Sequence, residues 1–506
     1  MSKYEKLEVL GEGTYGKVYK VKRTSDGSLF AMKTYRSVNE QTQDEYPRIA
    51  DVNEIDILCR FQHPNLLHCE DCFYEESSNE VCVILPLANQ TLSDYVKSKG
   101  GSGLSVGKCK SVLFQLGSAL HFMHVMNIYH CDIKPDNILL HNSEILLADF
   151  GLSYPNSLQG EGMRCGTLGY SSPQVGTTLR GGIDAATDVD AGLDMLRKVA
   201  AEKGDSYVRS DVFSLGMVLF FCLTGKGIAK TYDIFWKDYA HAPETIEMAI
   251  SSRRATISQS ELKDFDALVQ ICKGACQLSQ VNRPSLKQIL GNAVFSGQEP
   301  IPGKVIQVTL GAIPTDILGY PFDKFINNIM GRFLFPLMNN QRNPLHVFCL
   351  TLELYIRSVK LINSKKAMLV YLAAAAYCAD NLVNSNSMLS PQDLVWASAR
   401  NFTEQDLETS IPKMIGHLKG RLTTETFVTK ESDAFVTIFY IFQIINNATK
   451  TFHMAVGDIE LMYDQSSIRQ NHALDYSKIK TVTFAEVIAR ARVYIRDGLP
   501  VDLELK

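Results

Sequence analysis

His130-Cys131-Asp132-Ile133-Lys134-Pro135-Asp136-Asn137, with Asp149-Phe150-Gly151 shortly after it, decides how this chain reads. The two segments set an acid, a base, an amide and a second acid close together. Any one of these carboxylates alone reads equally well as a helix cap or a loop turn. The surroundings are helical: from Leu92 the apolar spacing is mainly that of helices, with one long helix over Val106 to Val125 and a very apolar one over Phe213 to Leu223. Upstream the pattern changes, and the first 90 residues read mostly as strands. Val18 to Lys22 alternates, Ser25-Asp26-Gly27-Ser28 is a turn signal, and Leu29 to Tyr35 and Glu80 to Leu87 are further strands. Between them, Asp51 to Phe61 has helical spacing, with Val52, Ile55, Leu58 and Cys59 on one face.

Gly11-Glu12-Gly13-Thr14-Tyr15-Gly16-Lys17-Val18 is a glycine-rich loop. Glycine lets a backbone approach phosphates with no side chain in the way. A dinucleotide-binding loop has the same glycines but lies between a strand and a helix. Here Leu7 to Leu10 and Val18 to Lys22 both read as strands, which favours a strand–loop–strand lid. Lys33 follows on the next strand, where it can pair with phosphate oxygens; a solvated strand lysine is the alternative. Glu54, on the helix after it, is the candidate partner of Lys33, with Glu45, Asp51 and Asp56 as rivals.

Taken in order and spacing, these motifs resemble the eukaryotic protein kinase family over residues 1 to about 295. His130-Cys131-Asp132 stands where the family usually has His-Arg-Asp. Gly166 to Gln174 resembles the end of the activation segment, Ser210 to Gly216 the helix that anchors the catalytic loop, and Asn282-Arg283-Pro284-Ser285 the closing arginine motif. The resemblance implies an α+β bilobal fold, with a β-rich first lobe and a helical second lobe. It also implies transfer of a phosphoryl group from ATP to serine or threonine hydroxyls of proteins. That chemistry needs positioning and charge neutralisation more than covalent help. By resemblance, Asp132 accepts the hydroxyl proton, Lys134 contacts the moving phosphate, and Thr167 joins the catalytic set with Lys33 and Glu54. Asn137 and Asp149 supply oxygen ligands suited to magnesium. Nucleotide contacts fall on Leu10, Gly11, Gly13, Gly16, Val18, Ala31 and Lys33 above and Leu139 below. The hinge is Pro86-Leu87-Ala88, and Leu85 guards the back pocket. A degenerate, non-catalytic member is the alternative, but Lys33, Asp132, Asn137 and Asp149 are all present.

Within the family, the glycine loop, Glu54 to Leu58 and His63-Pro64-Asn65 look most like cyclin-dependent kinases. The signature of their cyclin-contacting helix is replaced by Arg48 to Asn53, and a long insertion separates Gln174 from Asp211, with an extra helix expected over Asp188 to Ala201. Thr14 and Tyr15 match positions where those kinases are inhibited by phosphorylation. Cys131 and Gly162 replace the arginine and the phosphothreonine that order the activation segment in many relatives. Glu161 offers a fixed negative charge beside the vacant site, with Arg164 as a possible partner.

Composition shifts near residue 296, where Ser296 to Gly303 reads as the start of a linker reaching to 318. Residues 319–506 read as a separate, all-helical unit. Its helices are expected at Phe322 to Met338, Leu345 to Ile362, Ala367 to Val383, Ser390 to Trp396 leading into Leu407 to Leu418, and Asp433 to Asn446. The third carries Ala373-Ala374-Ala375-Ala376, and small side chains let neighbouring helices approach closely. This arrangement resembles a cyclin box, which implies an intramolecular activator; a generic docking or regulatory domain is the alternative. Cys378 and Ile411 stand where cyclins carry a lysine and a glutamate.

The totals set bounds. The 506 residues allow two to four units at roughly 100–200 residues per domain. A net charge of -4 gives no global reason to expect nucleic acid or membrane as a partner. The longest apolar run, Ala367 to Ala379, is too short to span a bilayer, and no signal core follows the charged start. Twelve scattered cysteines, including Cys69 and Cys72 as a lone CxxC, fit thiols in a reducing cytoplasm or nucleus. A kinase carrying its own activator is also compatible with a virus-encoded protein in a host cell.

Overall fold

The computed structural model describes residues 3–13, 16–36, 52–155, 166–167, 169–172, 206–227, 242–306, 308, 314–321, 344–383, 389–398 and 400–423. Thr14, Tyr15, Glu45, Asp51, Glu161, Gly162, Arg164, Gln174, the helix over 188–201, and the helices over 322–338 and 433–446 lie outside the described residues.

The first lobe is an antiparallel sheet of five strands: β1 (Tyr4–Gly13), β2 (Gly16–Arg23), β3 (Leu29–Arg36), β5 (Asp71–Glu75) and β6 (Glu80–Pro86), in the order β1-β2-β3-β6-β5. Gly27, at φ 76°, closes the turn between β2 and β3, where Asp26 Oδ1 accepts the Ser28 N–H at 3.0 Å. Register sets Lys33 opposite Val18 on one side and opposite Val83 on the other, and Ala31 opposite Leu85.

Helix α1 (Val52–Arg60) meets this sheet where Glu54 pairs with Lys33 of β3. Val52, Ile55, Leu58 and Cys59 are buried as its spacing requires, but so are Glu54, Asp56 and Arg60. Charged side chains are buried only where they are paired, so the helix must be covered all round. A short β4 (Phe61–Gln62) follows it. Below come β7 (Gln90–Thr91), α2 (Leu92–Ser98), α3 (Val106–Val125), β8 (Ile128–Tyr129), the single helical turn Pro135–Asn137, β9 (Ile138–His141), β10 (Glu144–Leu147) and β11 (Tyr154–Pro155). Ser105 caps α3 by accepting the Lys108 N–H. Then come α4 (Ser206–Thr224), α5 (Ala242–Arg254), α6 (Leu262–Ala275) and α7 (Leu286–Leu290). Within α4, Tyr207–Thr224 is long and apolar enough to cross a bilayer by composition, yet 83% of it is buried in protein, between α3 and α6. It extends beyond the Phe213 to Leu223 run legible from hydropathy alone.

The stretch expected as a linker docks on the first lobe. His63 Nε2 lies 2.9 Å from the Ile301 carbonyl, and Ile306 donates its N–H to Arg60 O at 2.7 Å. Strand β12 (Lys304–Val305) pairs antiparallel with β4. A small hairpin follows, β13 (Asp316–Ile317) with β14 (Tyr320–Pro321).

Beyond it are α8 (Pro344–Ser358), α9 (Lys365–Val383), α10 (Pro391–Ala397) and α11 (Glu404–His417). The expected single helix to Ile362 ends at Ser358 and tightens into a 3-10 turn over Val359–Leu361. The stretch from Ser390 to Leu418 is two helices, capped separately by Ser390 and Thr403. Ala373 to Ala376 are fully buried in α9, which packs against α8, α11 and α1, while α11 lies across β5 and β6. The contact is close: a Cβ on Gly416 would stand 2.5 Å from the backbone nitrogen of Tyr74.

Candidate active site

Lys33 on β3 and Glu54 on α1 meet between the sheet and the helix. Lys33 Nζ donates to both Glu54 oxygens at 2.7 Å, and the glutamate side chain is only 4% exposed. The rival Asp56 faces elsewhere and pairs with Arg60, at 2.8 Å. The other two rivals lie outside the described residues.

The loop after β8 gathers the remaining polar groups. Lys134 Nζ donates to Asp132 Oδ2 at 2.7 Å and to Thr167 Oγ1 at 2.8 Å. Thr167 donates its N–H to Asp132 Oδ1 at 2.8 Å and its hydroxyl to the same oxygen at 2.6 Å. Asn137 Nδ2 donates to Asp132 O at 2.9 Å and to Asp132 Oδ2 at 3.1 Å. Burial alone raises the pKa of Asp132, but the hydrogen bonds from Lys134 and Thr167 outweigh it and hold the carboxyl below its ordinary value. The Asp132 carboxyl is therefore ionised near neutral pH and held in place by its donors.

Backbone conformation supports this cluster. Cys131 and Asp149 sit at φ 64° and 65°, in the left-handed region that side chains adopt at a cost. Asp211, in the second turn of α4, accepts the N–H of His130 at 2.9 Å and of Cys131 at 3.0 Å, while His124 Nε2 lies 2.8 Å from its Oδ2. Phe150 is fully buried with its ring 5.5 Å from that of His130. Asn53 ties α1 to the segment after Gly151 by donating to Ser153 O at 2.7 Å. The sequence reading marked Asp211 through its motif. It had no signal for His124 or Asn53, because each acts on a backbone or side-chain group far away along the chain.

The cleft residues are arranged as follows. Leu85 is buried opposite Ala31, Val18 and Leu139 are half-buried, and Leu87 and Ala88 lie half-buried in the irregular segment between β6 and β7. His141 Nδ1 lies 2.9 Å from the Leu87 carbonyl. Leu10 is exposed at the rim, and Gly13 pairs with Gly16 across the tip of the β1–β2 hairpin. A Cβ on Gly11 would meet nothing within 4 Å, so packing inside the protein does not require glycine there. Open space at that position fits a ligand whose phosphates approach the backbone.

Magnesium fits the donor set. The amide nitrogen of Asn137 is committed to Asp132, which leaves its oxygen as an acceptor, and the Asp149 carboxylate is exposed. One amide oxygen and one carboxylate suit an ion that keeps waters and takes its remaining ligands from phosphates. Among the described residues no group of three His, Cys, Asp or Glu side chains could hold a metal, and no disulfide joins the described cysteines. Cys69 and Cys72 lie with Cys59, whose thiol is pushed well up by hydrogen bonds with them and by burial.

Comparison with known proteins adds to this geometry. Residues 4–191 match the family model of the protein kinase domain. NUAK family SNF1-like kinase 2 from Pongo abelii is 36% identical over 177 residues, which cover 34% of this chain and 27% of that protein. The chain thus spans about a quarter of the length of the curated relative it matches. The described part of the matched stretch is β-rich at first and helical after it, and the helices from Pro344 onward lie beyond the matched residues.

Proposed function

We propose that the chain is an ATP- and magnesium-dependent protein kinase acting on serine or threonine. The observation that carries this reading is the Asp132–Lys134–Thr167–Asn137 cluster, standing together with the closed Lys33–Glu54 pair. Asp132 takes the proton of the attacking hydroxyl. Lys134 is placed to neutralise charge on the transferred phosphoryl group, and Glu54 holds Lys33 toward the nucleotide phosphates. Asn137 and Asp149 would hold magnesium, which when bound neutralises phosphate charge. The match of residues 4–191 to the protein kinase domain model supports protein substrates. Free thiols support an intracellular, reducing setting.

The finer reading is a kinase that resembles the cyclin-dependent type and is switched on in cis. Its support is the packing of α9 on α1 and of α11 on β5 and β6, with the alanine-rich α9 at the centre of the helical layer. Covalent linkage makes this docking intramolecular, at effective concentrations of about millimolar for a short linker. A docking platform for one protein substrate is the second reading.

The experiment is incorporation of labelled phosphate by the full chain. Lys33→Ala and Asp149→Asn should each abolish it with the protein still folded; the exposed Asp149 position should keep the melting temperature near that of the parent, whereas Lys33→Ala lowers it by leaving buried Glu54 without its cation. Undiminished incorporation by either variant refutes the assignment.

A further inference from the structure

We propose that Asp56 is a positioning residue that sets the Lys33–Glu54 pair by binding the carboxyl-terminal helices to α1; the proposal rests on the catalytic reading given above. Asp56 is 3% exposed. Its Oδ1 accepts the N–H of Leu422 at 2.8 Å and of Thr423 at 3.0 Å, and its Oδ2 accepts the Thr423 hydroxyl at 2.7 Å. Arg60 Nε, one turn further along α1, lies 2.9 and 2.8 Å from the two oxygens. Arg60 therefore supplies the countercharge, and a turn more than 360 residues away in sequence fills the remaining acceptor positions.

Helix geometry gives this contact its consequence. Residues two apart on a helix point roughly 200° apart. Glu54 and Asp56 thus lie on opposite faces of α1, one toward Lys33 and the other toward residues 422 and 423. The turn is gripped from its other side as well. Arg357 on α8 donates Nη1 to Leu422 O at 2.8 Å and Nη2 to Arg421 O. Between these grips, Gly420 sits at φ 68°, and a Cβ on it would stand 2.4 Å from Cys59 Sγ. The turn therefore rests directly on α1. If α1 moves away from Lys33, the bonds to Asp56 break and a buried carboxylate loses three donors, which is strongly unfavourable. The same bonds that hold the turn thus hold Glu54 inward, although Asp56 touches no reacting group.

The test uses the full chain and follows kcat, KM for ATP, melting temperature and hydrogen exchange of the α1 amides. Thr423→Val removes one hydroxyl donor to a charged acceptor and should lower kcat about tenfold, with faster exchange over residues 52–60. Thr423→Ser, which keeps the hydroxyl, should stay within about twofold of the parent. Asp56→Ala should fall further, by about a hundredfold. Folded Thr423→Val and Asp56→Ala proteins with parental kcat, alongside an inactive Glu54→Gln, overturn the proposal and leave the catalytic reading standing. Parental rates in Glu54→Gln overturn the catalytic reading and the proposal with it. Should Asp56→Ala not fold, Thr423→Val and Gly420→Ala decide: parental kcat in both overturns the proposal, and reduced kcat with faster α1 exchange supports it.

Discussion

The carboxylate of Asp211 accepts the backbone N–H of Cys131 at 3.0 Å and so holds at φ 64° the residue directly before Asp132. A second N–H, from His130, reaches the same carboxylate. Asp211→Ala leaves both N–H groups buried without that acceptor, and each costs about 1–3 kcal/mol. The expected outcome is a lower melting temperature and a fall in kcat of about a hundredfold, measured by thermal unfolding and steady-state phosphate transfer. A parental kcat would show that the left-handed turn holds itself.

The ionisation of Asp132 makes a prediction of definite sign. Burial raises its pKa, and the bonds from Lys134 and Thr167 more than reverse this. A carboxyl whose folded pKa is depressed contributes stability above the ordinary aspartate value of about 3.9, and that contribution is lost as pH falls through the folded value. Activity should therefore show no acid limb from Asp132 between about pH 5 and 8. Thr167→Val removes one donor, so the acid limb of kcat/KM should move to higher pH. A limb that stays fixed or moves lower contradicts the role given to the Thr167 hydroxyl.

The candidate cluster was legible because its members are local: Asp132, Lys134 and Asn137 lie within one short loop of chain, and glycine spacing marks the β1–β2 hairpin tip. Lys33 and Glu54 needed only the order of strand and helix. Asp56 was misleading, since a carboxylate on the right helix reads as a rival for Lys33, and only the fold brings Thr423 to it. Similarly, glycine and proline between 296 and 303 mark irregular backbone truthfully. They carry no sign that Ile301 meets His63 or that Lys304 and Val305 extend β4. Long-range pairing of short segments leaves almost no pattern in composition.

Gly416 separates the two readings of the helical layer. Its absent side chain lets α11 lie on β5, where a Cβ would stand 2.5 Å from Tyr74 N and 2.6 Å from Tyr74 Cβ. Gly416→Ala must push the helix off the strand, at about 1–3 kcal/mol for overpacking. If the layer holds α1 inward, phosphate transfer falls toward generic peptides and proteins alike. A fall confined to one protein substrate, with generic peptides unaffected, identifies the layer as a docking platform.

Activity should not need phosphate on the segment between Gly151 and Pro173. In kinases that do need it, a cation beside the catalytic aspartate grips the phosphate through charge-assisted hydrogen bonds and orders the segment. Here that neighbour is Cys131, a side chain that cannot carry a positive charge and whose Sγ lies 3.7 Å from the Tyr129 carbonyl. Gly162, at the position of the usual phosphothreonine, has no hydroxyl to modify. The loss of both partners removes the switch and not merely its regulation. Order at Asp132 has other sources in this protein: Asp211 fixes the backbone before it, and Thr167 and Lys134 bind its oxygens. Protein made in bacteria and treated with phosphatase should therefore transfer phosphate at the untreated rate. A large loss on dephosphorylation, restored by an upstream kinase acting within that segment, would show that another cation has taken over the grip.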